Sequence, residues 1–226
     1  MTITEVGAVG GRPVLHFHGA ASSADDGPSA ELCEQLGVRL LRHRRPGYNS
    51  AENRPNASLV EVASAVLSET KALGIASIPV LGWSGGGPYA LAAAVSDPST
   101  VTRVALIASW APMRPPHPDL PAGVKFFMKL SRHVPRRVFA LAFAATGRTT
   151  PGHVDDVRRV AAEWGFTPAA VAPRTPVSVW HSNSDNRVPI GPWRNTPGVD
   201  AYFVDGNWHD PPEHIWHDAL VRLVAS

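Results

Sequence analysis

The sequence contains a single cysteine, and this scarcity excludes an internal disulfide. Cys33 lies beside Leu32 and Leu36 in a stretch where apolar residues recur with helical spacing. We therefore expect its side chain to pack as a small hydrophobic group. A chain without disulfides is compatible with a reducing compartment.

The sequence also lacks a long apolar run and an excess of charge of one sign. No stretch approaches the roughly 20 apolar residues of a membrane span, and the amino terminus, with Glu5 and several glycines, lacks the basic start of a signal peptide. Twenty-one Lys and Arg against 19 Asp and Glu leave a net charge of +2, which supplies no basic field for nucleic acid. We expect a cytoplasmic protein that binds neither membranes nor nucleic acids.

Arginines do cluster in three short stretches. A solvated face accounts for such clusters at least as well as a phosphate site does. We therefore predict that all three lie on the surface: the run from Arg42 to Arg45, Arg136 with Arg137, and Arg158 with Arg159.

The composition favours one α/β domain over residues 1–226. Apolar residues make up 44% of the 226 residues and charged residues 18%, which suits one continuous core. Short β-branched runs alternate with helical patterns, as in a mainly parallel sheet with helices on both faces. The predicted strands are Thr2–Val6, Val14–His18, Val38–His43, Ile78–Gly82, Val101–Ala108, Val177–His181 and Ala201–Val204.

Two helices and one insertion complete this prediction. A helix is expected over Ser58–Leu73, opened by a capping box and stopped by Gly74, and a terminal helix over Glu213–Val224. Residues 110–174 are rich in proline and apolar helix patterns and contain no convincing strand, so we predict an inserted helical cap. Ordinary packing explains most of its apolar side chains, and the candidate substrate-binding residues are Trp83, Phe127, Phe139 and Phe143.

The segment Gly82-Trp83-Ser84-Gly85-Gly86 matches G-x-S-x-G, in which a strand turns sharply into a helix and exposes a nucleophilic serine. Composition alone would produce the pattern in about one such chain in eight, so the residues around it must show whether it marks a nucleophile. A strand-like run, 78–81, precedes it, and a helix-like run, 88–95, follows it. A side chain at Gly82 or Gly86 would collide with backbone at such a turn. These features favour Ser84 as a nucleophile.

A nucleophilic serine needs a base that removes its proton and a carboxylate that orients the base. With this turn, the expected order along the chain is Ser, Asp, His. Asp185 follows the sixth predicted strand and His209 the last, at the sheet edge where strand ends converge. Asp205 is the alternative candidate for the acid, but it is too close to His209 along the chain for its carboxylate to reach the far side of the imidazole ring. We therefore favour Asp185.

His214 and His217 lie near His209 on the last predicted helix, where a metal cluster is the alternative interpretation. Their spacing matches no strong metal signature, and solvated helix histidines explain them better. We predict no metal site.

Taken in order, several motifs resemble the α/β-hydrolase superfamily, in its serine-nucleophile branch with a helical cap. The resemblance spans nearly the whole chain. It rests on the turn that carries Ser84, on His209 near the carboxyl terminus, and on three motifs: His18-Gly19, Arg45-Pro46-Gly47-Tyr48 and Asp185-x-x-Val188-Pro189. Two positions depart from the superfamily's usual pattern: Ser182 stands after His181 where glycine is common, and Arg44 stands where Asp is common.

The resemblance implies roles for particular residues. Ser84 would be the nucleophile, Asp185 the acid and His209 the base, while the backbone N–H groups of Gly85 and Ala20 would form the oxyanion hole. It also implies that the chain lacks the superfamily's first antiparallel strand. Such a shortened sheet has an exposed edge that could pair with a second subunit in a homodimer.

These residues predict a serine hydrolase that cleaves an ester, thioester or lactone of a small, mostly apolar molecule through an acyl-enzyme, with no cofactor. A serine rather than an aspartate at the turn argues against dehalogenase and epoxide hydrolase chemistry. Carbon–carbon hydrolases, lyases and acyltransferases use the same triad and stay open as alternatives. A ligand-binding or receptor-like protein with little turnover is the remaining alternative.

Overall fold

A computed structural model describes residues 3–20, 22, 23, 25–48, 51–112, 122, 125, 134–144 and 151–225. Within these residues, seven strands form one sheet in the order β1-β3-β2-β4-β5-β6-β7. The strands are β1 (Ile3–Gly7), β2 (Arg12–Phe17), β3 (Val38–His43), β4 (Ile78–Trp83), β5 (Val101–Ile107), β6 (Val177–Ser182) and β7 (Val199–Val204).

The sheet is parallel apart from β1, which pairs antiparallel with β3 at one edge. The predicted strands are confirmed to within two residues at each end, because buried strands of a parallel sheet are apolar on both faces. The predicted α/β fold class is thereby confirmed. Pairing of an exposed edge with a second subunit stays a prediction.

Helices cover both faces of the sheet. α2 and α3 pack in one apolar cluster with β4 and β5, whereas α1 and α8 pack on the opposite face. Among the residues described, no helix has the length and apolar character needed to cross a membrane. The helices are α1 (Ala30–Gln35), α2 (Leu59–Ala72), α3 (Gly87–Ser96), α4 (Arg136–Ala144), α5 (Pro151–Ala161), α6 (Pro168–Val171), α7 (Gly191–Arg194) and α8 (Glu213–Val224).

Three local predictions about the helices are confirmed. Ser58 Oγ accepts a hydrogen bond from the backbone of Glu61 at 3.2 Å, and the Glu61 carboxylate accepts one from the backbone of Ser58 at 2.8 Å, which makes the capping box of α2. Gly74 ends this helix with a φ of +81°. Cys33 is fully buried beside Leu32, and burial raises the pKa of its thiol to about 11.

The segment predicted as a cap contributes α4, α5 and α6 between β5 and β6, and its described residues contain no strand. α5 contacts the short turn at Ser84–Gly86, so part of the segment lies beside the candidate nucleophile. Phe127 lies outside the described residues, and so do the side chains of Phe139 and Phe143 on α4. A cap that covers the site stays a prediction.

The prediction that the arginine clusters lie on the surface is wrong for two of the arginines and for His43, which is buried within the first cluster. Arg45 is fully buried and Arg159 is 6% exposed. Both side chains donate hydrogen bonds to Asp156 of α5, which is itself fully buried. A buried arginine is tolerated when a carboxylate and further acceptors satisfy its donors, and the partner lies far away in sequence.

Two buried histidines should make the fold sensitive to acid. His16 of β2 and His43 of β3 are almost fully buried, and burial, with a smaller effect of Arg45 nearby, lowers the pKa of each to about 3. An unfolded histidine binds a proton near pH 6.5, so between about pH 6.5 and 3 the unfolded state holds more protons. The free energy of unfolding should therefore decrease as the pH falls through this window, by up to about 1.4 kcal/mol per pH unit for each histidine.

Urea unfolding between neutral pH and the onset of carboxylate titration measures this slope. The His43→Asn protein, which lacks one of the buried titrating groups, should be destabilised at neutral pH but should lose less stability on acidification. Parallel curves for the two proteins would contradict the assignment.

Candidate active site

Ser84 occupies a sharp turn between a strand and a helix. β4 ends at Trp83, a single turn of tight helix spans Ser84–Gly86, and α3 begins at Gly87. The φ angle of Ser84 is +50°, in the left-handed region that residues other than glycine rarely adopt. Such a conformation costs free energy, and the surrounding structure must hold it in place. This backbone strain is the kind found at functional residues.

The glycines around Ser84 leave room for this turn, as predicted. A Cβ at Gly82 would lie 2.7 Å from the Cα of Gly87, and one at Gly86 would collide with the carbonyl oxygen of Phe17. Strand β4 can therefore turn into α3 within a few residues only because these positions lack side chains.

Three side chains form a continuous hydrogen-bonded chain. His209 Nε2 lies 2.9 Å from Ser84 Oγ, and His209 Nδ1 lies 2.9 Å from Asp185 Oδ2. In the tautomer that these contacts favour, Nδ1–H donates to the carboxylate and Nε2 accepts from the serine hydroxyl. This arrangement can transfer the serine proton to the imidazole while the carboxylate stabilises the resulting cation.

Asp185 is held as an ionised carboxylate. Its side chain is fully buried, and Oδ1 accepts hydrogen bonds from the backbone N–H groups of Arg187 at 2.8 Å and Val188 at 3.1 Å. Burial raises the pKa of Asp185, but the hydrogen bonds from His209 and the two backbone groups outweigh burial, so the net pKa lies below its usual value. The acid is therefore charged at neutral pH.

Two further side chains fix the loops that carry Asp185 and His209. Ser182 Oγ donates to the carbonyl of Gly206 and accepts from the backbone N–H groups of Ser184 and Trp208 at 3.2 and 3.3 Å. The indole N–H of Trp83 donates to the carbonyl of His209 at 3.1 Å. The loops after β4, β6 and β7 are thus tied together around the histidine.

The loop after β2 passes directly beside the turn that carries the serine. A Cβ built on Gly85 would lie 2.6 Å from the Cβ of Ala20 and 2.9 Å from its backbone nitrogen. The backbones of Ala20 and Gly85 therefore meet next to Ser84. Two N–H groups from different loops are the usual source of an oxyanion hole at this kind of turn.

A cavity of about 280 Å³ opens over these groups. Arg187 and Asp210 stand at the cavity wall with 3.6 Å between Nη1 and Oδ1. Its described lining is mostly polar and consists of Gly19, Ala20, Ser22, Asp26, Trp83, Ser84, Arg187, His209 and Asp210.

Solved structures with the same architecture span almost the whole chain. An α/β-hydrolase fold protein from Nakamurella multipartita matches with a TM-score of 0.63 and 22% identity, over 98% of this chain and 94% of that one. A thermophilic esterase from Thermogutta terrifontis matches with a TM-score of 0.68 and 19% identity, over 97% and 91%. This chain has the α/β-hydrolase fold.

A bromoperoxidase from Bacillus anthracis shares the α/β-hydrolase fold of this chain, with a TM-score of 0.69 and 14% identity over 98% of this chain and 94% of that one. No family model matches the sequence. At these identities the comparisons establish the fold, and the chemistry must be argued from the site itself.

Within the α/β-hydrolase fold, the candidate residues meet at the predicted edge of the sheet. Ala20 follows β2, Ser84 follows β4, Asp185 follows β6 and His209 follows β7. The competing carboxylate, Asp205, instead accepts a hydrogen bond from Asn183 Nδ2 at 2.8 Å on the exposed surface.

The two histidines weighed as metal ligands, His214 and His217, are exposed on α8. In the part of the chain that the structure describes, no three metal-binding side chains come together in one place.

Sequence reasoning missed several residues that support the site. Ser182 stands where the superfamily usually has glycine, and that departure is a usable signal for a hydroxyl between the loops after β6 and β7. Arg45 was assigned to the surface, although it lies in a motif that carried the resemblance. Asp156 gave no signal, since an aspartate within a polar helix pattern looks like any exposed residue.

Proposed function

We propose that this protein is a serine hydrolase that cleaves an ester, thioester or lactone of a small, mostly apolar molecule. The observation that carries the proposal is the chain of two 2.9 Å hydrogen bonds from Ser84 through His209 to Asp185. The strained φ of Ser84 and the close approach of Gly85 and Ala20 support it. Esterases among the proteins of similar fold make ester hydrolysis the first activity to test.

Acylation begins when Ser84 Oγ attacks the carbonyl carbon of the substrate as His209 Nε2 takes the hydroxyl proton. The carbonyl π electrons move onto oxygen, and the N–H groups of Gly85 and Ala20 stabilise the resulting oxyanion. When this intermediate collapses, the bond to the leaving group breaks and His209 returns the proton to that group. The product is an acyl-serine and a free alcohol or thiol.

Deacylation repeats these steps with water as the nucleophile. His209 takes a proton from water as the water oxygen attacks the acyl carbon, and the tetrahedral intermediate uses the same oxyanion donors. Its collapse breaks the bond to Ser84 Oγ, which recovers its proton from His209. Atoms balance as one ester plus one water to one acid plus one alcohol.

The described cavity favours a small substrate. Its volume of about 280 Å³ lies just below the range of about 300–1,000 Å³ that is typical of sites for drug-sized ligands. Short acyl chains should therefore be preferred, and Trp83 at the cavity wall offers an apolar contact.

A fluorophosphonate tests the proposal because this electrophile reacts with an activated serine regardless of substrate. We expect stoichiometric labelling of Ser84 alone at neutral pH, because only this hydroxyl has an imidazole placed to accept its proton. Mass spectrometry of the digested protein locates the adduct.

The control is the Ser84→Ala protein, which should remain unlabelled, and an exposed serine such as Ser68 should carry no adduct in either protein. A folded wild-type sample without label at Ser84 would support the receptor-like alternative. Hydrolysis rates across acyl chain lengths, thioesters and lactones, with Ser84→Ala as blank, then identify the substrate class.

A further inference from the structure

The carbonyl oxygen of Gly19 is held by three donors. It accepts hydrogen bonds from Arg45 Nη2 at 3.1 Å, from His18 Nδ1 at 2.8 Å and from Ser22 Oγ at 2.6 Å. A carbonyl oxygen has two lone pairs, so these three donors share them and leave no acceptor capacity free.

The Gly19 carbonyl and the Ala20 N–H belong to the same peptide unit. A trans peptide is planar, and its C=O and N–H bonds point in opposite directions. Donors that fix the direction of the Gly19 carbonyl therefore also fix the direction of the Ala20 N–H. That N–H belongs to the residue whose backbone meets Gly85 beside Ser84.

Arg45 is the most rigid of the three donors. Its guanidinium is fully buried between the rings of Tyr48 and Tyr89, at 5.1 and 5.0 Å from their centroids. Nε and Nη2 both donate to Asp156 Oδ2, at 3.0 and 2.7 Å, while Nη1 donates to the carbonyl of His18. The planar guanidinium of Arg45 thus joins two successive carbonyls of the loop after β2 to a carboxylate of α5.

Arg45 carries its positive charge in the folded protein. Burial lowers the pKa of Arg45, but the Asp156 carboxylate together with Tyr48 and Tyr89 raises it by more, and the net pKa lies above its usual value. Asp156 is in turn oriented by the hydroxyl groups of Tyr48 at 2.8 Å and Tyr89 at 2.5 Å. A satisfied buried network of this kind makes a stiff support.

We propose that Arg45 is a positioning residue that aims the Ala20 N–H at the oxyanion by holding the Gly19 carbonyl, with Asp156 of α5 as its anchor. The proposal rests on the proposed serine hydrolase function. It assigns to the insertion between β5 and β6 a role in the chemical step, through Asp156, in addition to any contact with substrate.

The Arg45→Lys protein tests this role, because an ammonium group cannot reach Asp156 and both carbonyls at once. The number of competent sites is first titrated with a fluorophosphonate. We expect kcat per titrated site on para-nitrophenyl acetate to fall on the order of a hundredfold, as for the loss of one oxyanion donor, with little change in KM. Inhibition by trifluoroacetone, which forms a tetrahedral adduct with the serine, should weaken by a similar factor.

Arg159→Lys is the matched control. Arg159 is also a buried arginine that contacts Asp156, and its guanidinium donates to the backbone carbonyls of Arg54 and Ala57, away from the site. This variant should lose stability in urea as Arg45→Lys does. Its kcat per titrated site and its inhibition by trifluoroacetone should match the wild type.

Unchanged kcat per site and unchanged trifluoroacetone inhibition in Arg45→Lys would overturn the proposal, since a structural role alone reduces only the number of competent sites. If Arg45→Lys does not fold, Ser22→Ala tests the step on which the proposal depends, that the Gly19 carbonyl sets the direction of the Ala20 N–H, because the half-buried Ser22 donates to the same carbonyl. A loss of about tenfold, equal in kcat and in trifluoroacetone affinity, supports the proposal, and no change in either overturns it. Absence of Ser84 labelling in the wild type would instead overturn the proposed function.

Discussion

Replacement of Ser84 or of His209 by alanine should each lower turnover by at least about a thousandfold while the fold survives. Without the Ser84 hydroxyl no acyl-enzyme forms, and without the imidazole the hydroxyl keeps its proton at neutral pH. The free energy of unfolding should decrease more for His209→Ala than for Ser84→Ala, because only the former removes a hydrogen-bond donor from the buried Asp185 carboxylate. The measurements are kcat on a short-chain ester and urea unfolding of each protein.

The double variant sharpens this test. Because Ser84 and His209 act in one proton transfer, the protein with both substitutions should be little slower than either single variant. Losses that multiply would show that the two side chains act in separate steps. Near-normal turnover in either single variant would exclude the residue from the mechanism.

The strands and the serine turn could be predicted because their signals are local. A buried parallel strand needs consecutive apolar residues. The glycines around Ser84 are needed because side chains there would collide with backbone at the turn. The meeting of Ser84, Asp185 and His209 could be predicted as well, since parallel strands bring the loops at their carboxyl ends to one edge of the sheet.

The buried pair of Arg45 and Asp156 could not be predicted, because its signal is not local. Arg45 and Asp156 are 111 residues apart in the chain, and each taken alone has the character of a surface residue. Charged residues are rarely fully buried unless they are paired, so an arginine cluster favours the surface until its partner is known. The error therefore lay in judging the arginine without the helix that covers it.

Asp185→Asn should lower turnover on the order of a thousandfold or more, whereas Asp205→Asn should leave it within about twofold of the wild type. Oδ1 of Asp185 accepts from two backbone N–H groups, so an asparagine would turn its carbonyl oxygen toward them. Its NH₂ group would then face Nδ1 of His209, which now lies 2.9 Å from Oδ2.

An NH₂ donor in that position selects the wrong tautomer of the imidazole. Nδ1 must accept, so the ring proton moves to Nε2, which can no longer take the proton of Ser84. Asp205→Asn serves as the control because it makes the same chemical change at an exposed carboxylate bonded to Asn183. Measurement of kcat for both proteins decides the assignment: if Asp205→Asn were the slower enzyme, the acid would lie after β7 instead of after β6, and the rest of the triad would stand.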